Sequence, residues 1–268
     1  MSVEEQIGPC EKERLFSIVT VTYNASKVIY PTLESVRRQL SDDYEYVVVD
    51  GASTDDTLDC VRASGIKPLR IVSEPDKGLY DAMNKGIKLA RGKYLIFLNA
   101  GDSFAGDDVL SRLADKARSG EYDILYGQTQ LVDDDRHVIG PRHLTAPDRL
   151  TADSFKHGMM VCHQAFVVRR SIAPQFDLRY RFSADYEWCI RCLLLSKGNG
   201  YVGPLPIIDF LTTAEGTTER NHRASLKERF KIMCHYYGTM PTVFRHLSFI
   251  PRYMKEKRRK ERALKNEK

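Results

Sequence analysis

The chain has 268 residues, 42% of them hydrophobic, 29% charged and one of them Trp, which is enough apolar content for one good core and ordinary for a soluble protein. The net charge of +5 is modest, but Arg252 to Lys268 carries nine Lys or Arg against three Glu, so the basicity sits in a tail and the body is close to neutral. No run of eighteen apolar residues occurs and the stretch Met1-Ser-Val-Glu-Glu-Gln has no apolar region, so neither a membrane span nor a signal peptide is expected.

Phe16 to Thr22 (FSIVTVT) is a β-branched strand followed by Tyr23-Asn24. Ala25 to Leu40 reads as a helix, with Val28, Leu33, Val36 and Leu40 at helical spacing. Tyr44 to Asp50 (YEYVVVD) is a second strand, and Ser53-Thr-Asp-Asp56 fits a capping box opening a helix over Asp55 to Ser64. Pro68 to Ser73 is a third strand. Gly78 to Ala90 is a helix with a wide face of small and apolar residues, closed by Arg91-Gly92. Tyr94 to Asn99 is a strand buried on both faces, ending in the small-residue turn Ala100-Gly101 and Asp102. Four alternations of strand and helix predict right-handed βαβ units and a parallel sheet.

After Asp102 the pattern changes. Asp107 to Ala117 is a short helix, and Asp123 to Val132 with His137 to Ile139 forms a hairpin around Asp133-Asp-Asp-Arg136. Gln164 to Arg169 is a strand, Ala184 to Leu195 a helix, and Gly203 to Leu211 contains a further strand. Thr212 to His222 reads as a polar, mobile loop, Arg223 to Tyr237 as a helix, and the tail from Thr242 as helical and basic. Of the six cysteines, Cys189 and Cys192 have CxxC spacing, but inside a helix and without a second ligand pair; buried reduced thiols are the expectation.

In an open α/β sheet the ligand sits outside the carboxyl ends of the strands. Those ends are Thr22-Tyr23-Asn24, Asp50-Gly51, Glu74 to Gly78 and Asn99 to Asp102. Together they offer carboxylates, amides, an aromatic ring, Lys77 and a helix N-terminus at Gly78, a set that suits a phosphorylated, sugar-bearing ligand. Asp50 can accept hydrogen bonds from a base or ribose, and Asp102 can hold a divalent cation on a diphosphate. Each also has a structural reading: Asp50 as a turn residue, Asp55 as a helix cap, Asp102 as a cap of the next turn. Neither G-x-G-x-x-G nor G-x-x-x-x-G-K-[ST] is present, which argues against a dehydrogenase or a P-loop enzyme.

The segments SIVTVTYNAS, VVVDGASTDDT, EPDKGLYDAMNKGIKLARGKYLIFLNAGD and FSADYEW resemble glycosyltransferase family 2, with the GT-A fold, from about Phe16 to Leu211. The resemblance implies an α/β fold of GT-A type: a mostly parallel, Rossmann-like sheet flanked by helices, a mixed acceptor-side half and C-terminal helices. It implies a catalytic domain over 15–211, followed over 212–268 by the loop, the helices and the basic tail. It further implies donor contacts from Thr22, Tyr23, Asn24, Asp50, Ser53, Lys77, Gly78 and Asn99, and Mn2+ or Mg2+ at Asp102. The common acidic motif, Asp-x-Asp or Asp-Ala-Asp-Asp, is here Asn99-Ala-Gly-Asp102, with Asp102 its one remaining carboxylate.

FSADYEW resembles the segment that carries the general base. A sugar hydroxyl attacks well only once its proton is removed, and one ionised carboxylate suffices. Asp185 and Glu187 point about 200° apart on a helix, so only one can face a given site. Asp185 is the expected base, in the first turn where the helix dipole favours its ionised form, and Trp188 is a stacking wall for an acceptor ring. His163 and Gln164 are expected on the acceptor side. Asp185 as a cap, Trp188 as core and His163 as a structural histidine are the competing readings.

The function expected is therefore an inverting, metal-assisted transfer from a nucleoside-diphosphate sugar to a hydroxyl of a glycan, a lipid-linked oligosaccharide of bacterial polysaccharide biosynthesis being the expected acceptor. A cytoplasmic protein is expected, with its tail touching the inner face of the membrane and no nucleic-acid partner. Two alternatives stay open. A sugar-phosphate nucleotidyltransferase would want a Gly-rich basic loop where Tyr23-Asn-Ala-Ser26 stands. A non-catalytic sugar-nucleotide or glycan-binding protein would tolerate the altered acidic motif.

Overall fold

The computed structural model describes residues 3–8, 14–212 and 221–245. Its strands are β1 (Val3–Ile7), β2 (Phe16–Thr22), β3 (Tyr44–Asp50), β4 (Leu69–Ser73), β5 (Tyr94–Phe97), β6 (Ser103–Phe104), β7 (Ile124–Val132), β8 (Val138–Pro141), β9 (Phe166–Arg169) and β10 (Asn199–Leu211). The helices are α1 (Ile29–Arg37), α2 (Thr57–Ala63), α3 (Leu79–Leu89), α4 (Val109–Arg118), α5 (Ala184–Leu195) and α6 (His222–Tyr237). One sheet runs β1-β4-β3-β2-β5-β9-β7-β10-β6, with β8 paired to β7.

The half β4-β3-β2-β5 is parallel throughout. Every residue of β2 and β3 is buried, as expected for β-branched runs covered on both faces. β9 is antiparallel to both β5 and β7, so β7, and β10 parallel to it, run in the direction of β5. The carboxyl ends of β2, β3, β4, β5, β7 and β10 therefore all reach one edge. The α/β architecture with a mostly parallel sheet flanked by helices is the one expected.

α3 packs on β2 and β3. Gly86 permits this, because a Cβ there would collide with the side chain of Val19. Behind the helix, Gly92 passes so close to β2 that a Cβ would lie 2.6 Å from the carbonyl carbon of Phe16 and the nitrogen of Ser17.

Four expectations change. β1 is an added antiparallel edge strand on β4, and β6 pairs with β10; neither was expected. α1 is shorter than Ala25 to Leu40. The capping box at Ser53–Asp56 does not form: α2 has Asp56 at its N-cap without a side-chain bond, and Ser53 turns to Asp50 instead. Of the predicted loop Thr212 to His222, residues 213–220 lie outside the described residues, and so does the predicted tail from 246 on.

Candidate active site

The site forms along the shared carboxyl edge. After β2, Asn24 adopts a left-handed backbone (φ 48°) and its side-chain oxygen accepts the N–H of Thr54. Asn24 N–H in turn donates to Ser53 Oγ, and Ala25 N–H to Thr57 Oγ1. These bonds staple the turn after β2 to the turn after β3. The Tyr23 ring stands 64% exposed on it. Gly51 lies between that ring and the Asp76 carboxylate: a Cβ would meet Asp76 Oδ2 at 2.6 Å and the ring at 3.4 Å. Thr22 Oγ1 is buried and unpartnered among the described residues.

Asp50 departs from its expected role. It has no exposed surface, and its oxygens accept from Ser53 N–H, Ser53 Oγ and Ser73 Oγ. It holds the loop after β3 together, and Ser53 is engaged in the same contacts. The helix N-terminus at Gly78 is also altered. The N–H groups of Lys77 and Gly78 already donate to Asp81 and Asp76, whose charges disfavour a phosphate there. The Lys77 residue is exposed.

The turn Asn99–Asp102 is held from α1: Thr32 Oγ1 accepts the N–H of Gly101 and donates to the carbonyl of Asp102. Asp102 Oδ1 accepts the N–H of Leu211, and Oδ2 accepts from the Gln164 amide at 2.6 Å. Burial pushes its carboxyl up to about 6, against the pull of these bonds and of the Arg136 charge. Gln164 is itself 2% exposed and takes the Cys162 thiol on its oxygen, so it braces Asp102 and does not face an acceptor.

Divalent cations of this size want several oxygen ligands. Among the described residues no group of three His, Cys, Asp or Glu could hold one. The one carboxylate of the motif has both oxygens engaged and is buried. The residues present therefore do not fit a protein-built metal centre. The CxxC pair does not supply one either: Cys189 and Cys192 are fully buried, with thiols pushed well up by burial.

Asp185 opens α5. Its Oδ1 accepts from Tyr80 OH at 3.0 Å and from Tyr186 N–H, and its Oδ2 lies 3.4 Å from His163 Nδ1. The other ring nitrogen of His163 faces the Asn99 amide at 3.2 Å. With the proton on Nδ1, the ring donates to Asp185 and accepts from Asn99. Burial alone would raise the Asp185 pKa, but His163, Arg229 and Tyr80 together bring it below the ordinary value. The group stays ionised at neutral pH, and its side chain is 14% exposed.

Glu187 faces away. It pairs with Arg191 and accepts from Tyr236 OH. Trp188 is not a stacking wall: it has no exposed surface, its ring is stacked on Phe176 at 4.8 Å, and its N–H donates to the Pro174 carbonyl. The apolar surroundings of α5 absorb it into the core.

Two residues were not anticipated. Arg136, at the β7–β8 tip, carries a buried Nη1 without a partner among the described residues, and Arg229 of α6 has a buried, unpartnered Nε. Residue type gave no signal for Arg229. For Arg136 the only signal was a lone cation in an acidic hairpin tip. Arg223 is exposed on α6.

The family model described as glycosyl transferase family 2 matches residues 17–175. A Mycobacterium bovis protein named "PGL/p-HBAD biosynthesis glycosyltransferase" is 40% identical over 188 residues, covering 66% of this chain and 69% of that protein. Among solved structures, S. aureus TarS 1–349 in complex with UDP-GlcNAc matches with a TM-score of 0.67 at 20% identity, over 87% of this chain and 73% of that one. The mannosyltransferase PcManGT from Pyrobaculum calidifontis, in complex with GDP-Man and Mn2+, matches with a TM-score of 0.60 at 15% identity, over 89% and 76%.

Proposed function

The chain belongs to glycosyl transferase family 2 and is a glycosyltransferase, and on that footing we propose an inverting transfer from a nucleoside-diphosphate sugar to a hydroxyl of a glycan acceptor, with Asp185 as general base. The observation that carries this reading is the Asp185 carboxylate: ionised, nearly enclosed, and tied through His163 to the turn that follows β5. The exposed Tyr23 ring beside Gly51 offers a stacking face for the donor base. The donor diphosphate lies over Asn99–Asp102. Asp185 takes the proton of the acceptor hydroxyl, the oxygen bonds to the anomeric carbon, and the carbon–phosphate-oxygen bond breaks on the opposite side. Hydrogen bonds from Tyr80 and His163 fix the carboxylate before substrate arrives, so little reorganisation is needed.

Two solved structures of this fold hold UDP-GlcNAc and GDP-Man, which supports a sugar-nucleotide donor without choosing its base. A lipid-linked oligosaccharide is the acceptor class we propose; the mycobacterial relative is named for PGL/p-HBAD biosynthesis, without an acceptor in that name. No helix among the described residues is long and apolar enough to cross a membrane. Peripheral contact with an anionic membrane is proposed instead, through the basic residues Arg252 to Lys268 and the exposed Met240 and Phe244 at the described end.

The test is Asp185→Asn. Transfer, followed as release of nucleoside diphosphate in the presence of acceptor, falls by about 10²- to 10⁴-fold, the usual worth of a general base. Donor affinity changes by less than about threefold, because Asp185 acts on the acceptor. Equal loss of donor binding and transfer would remove Asp185 from this role.

A further inference from the structure

The β7–β8 hairpin turns past the carboxyl end of β7, beside the end of β10, where Thr212 N–H donates to the Val132 carbonyl. At its tip the Arg136 N–H closes on the Asp133 carbonyl, and the His137 N–H on Asp133 Oδ1. Arg136 has φ 67°, a conformation that Gly, Asn or Asp reach with less strain than a long side chain. A non-glycine residue held there points to a use for its side chain.

Burial lowers the Arg136 pKa, against the opposing charges of Asp102, Asp209 and Asp134. The guanidinium makes no ion pair with any of them among the described residues. Both Asp102 oxygens are taken by Leu211 and Gln164, and Asp209 Oδ1 holds the Gln130 amide. The buried Nη1 has no partner at all among the described residues. A half-buried, unpaired guanidinium is a binding group awaiting an anion, and its planar fork matches phosphate oxygens.

Position decides which anion. Val132, at the end of β7, pairs with Leu211 of β10, and the Leu211 N–H donates to Asp102 Oδ1. The hairpin that carries Arg136 therefore leaves the sheet beside the turn Asn99–Asp102. We propose that Arg136 binds the diphosphate of the sugar-nucleotide donor, supplying charge at a turn whose single, fully engaged carboxylate is not built to organise a metal ion. The inference rests on the reading of this edge as a sugar-nucleotide site. As the diphosphate departs it gains negative charge, and a fixed cation beside it favours that step.

The test is calorimetric titration of the full chain with UDP, GDP and dTDP and with the three matching monophosphates, in EDTA and in Mn2+. In Arg136→Gln the diphosphate that binds the wild type weakens about 10- to 100-fold, while its monophosphate keeps its affinity. Arg136→Lys falls between. The melting temperature of Arg136→Gln stays equal or rises, because an unpaired half-buried charge is gone. Unchanged diphosphate affinity overturns the proposal. So does equal weakening of mono- and diphosphate, or a lowered melting temperature with affinity kept, which would make the guanidinium a structural counter-charge to Asp102 and Asp209. Wild-type binding that appears only with Mn2+ and is indifferent to Arg136 overturns it too. A wild type that binds none of the nucleotides overturns the sugar-nucleotide reading itself, an outcome distinct from the others.

Discussion

Replacing Asp102 by Asn isolates the energetic consequence of burying a carboxylate at the donor-side turn. Burial lifts the Asp102 carboxyl from 3.8 to about 6. The folded state thus binds this proton more readily than the unfolded chain. The contribution to stability is fully present below the unfolded pKa and is lost as pH rises through about 6. A shift of that size is worth roughly 3 kcal/mol in total, of which about 1.3 kcal/mol falls between pH 7 and pH 5. Asn cannot titrate, so the wild type gains on Asp102→Asn by that amount over the same interval, and other groups cancel in the difference. For a chain of this size this is about 3–5 °C in the gap between the two melting temperatures. Differential scanning fluorimetry of both proteins from pH 7 to pH 5 reads it directly. A gap constant to within about 1 °C would mean that Asp102 is open to water or to a cation. It would refute both the burial argument and the conclusion that this turn does not build a metal centre.

Two further outcomes test the assignments around Asp185. Glu228 of α6 accepts the N–H groups of Arg181 and Phe182 just before α5, so Glu228→Ala leaves both without their partner; a loss of about 1–3 kcal/mol in urea unfolding is expected, with transfer reduced more than donor binding. Trp188→Phe should cost about 2–4 kcal/mol, because it opens a void against Phe176 and orphans the Pro174 carbonyl, yet leave KM for acceptor unchanged; an altered acceptor KM at unchanged stability would restore Trp188 to the binding surface.

Much of the fold can be read from the chain because its signals are local. Runs such as FSIVTVT and YEYVVVD are apolar throughout, and only a doubly covered parallel strand suits them. β1 escapes that logic: VEEQI is polar and pairs as an edge, through backbone bonds and the salt bridges Glu4–Arg70 and Glu5–Arg62. At the site the sequence shows which residue types reach the edge but not what each side chain already holds. Asp50 and Asp102 look equivalent as strand-end acids, yet one is wholly enclosed by Ser53 and Ser73 and the other is braced by Gln164 from 62 residues away. Trp188 sits on the stripe of Asp185, and only the packing of Phe97, Phe166 and Phe176 around it decides that it is core.

That distinction bears on how the site works. His163 meets Asn99 of the donor turn with one ring nitrogen and Asp185 with the other, across 64 residues of chain to the first. A ligand that draws on Asn99, whose side-chain oxygen is buried and unpartnered among the described residues, acts on an amide whose nitrogen faces that ring. The same imidazole lies beside Asp185, so one ring joins the turn after β5 to the carboxylate. Tyr80, at the start of α3, fixes the other oxygen of the carboxylate from the parallel half of the sheet. The Asp185 carboxylate is therefore held between the two halves, and its orientation depends on the packing of α3 against β2 that Gly86 permits.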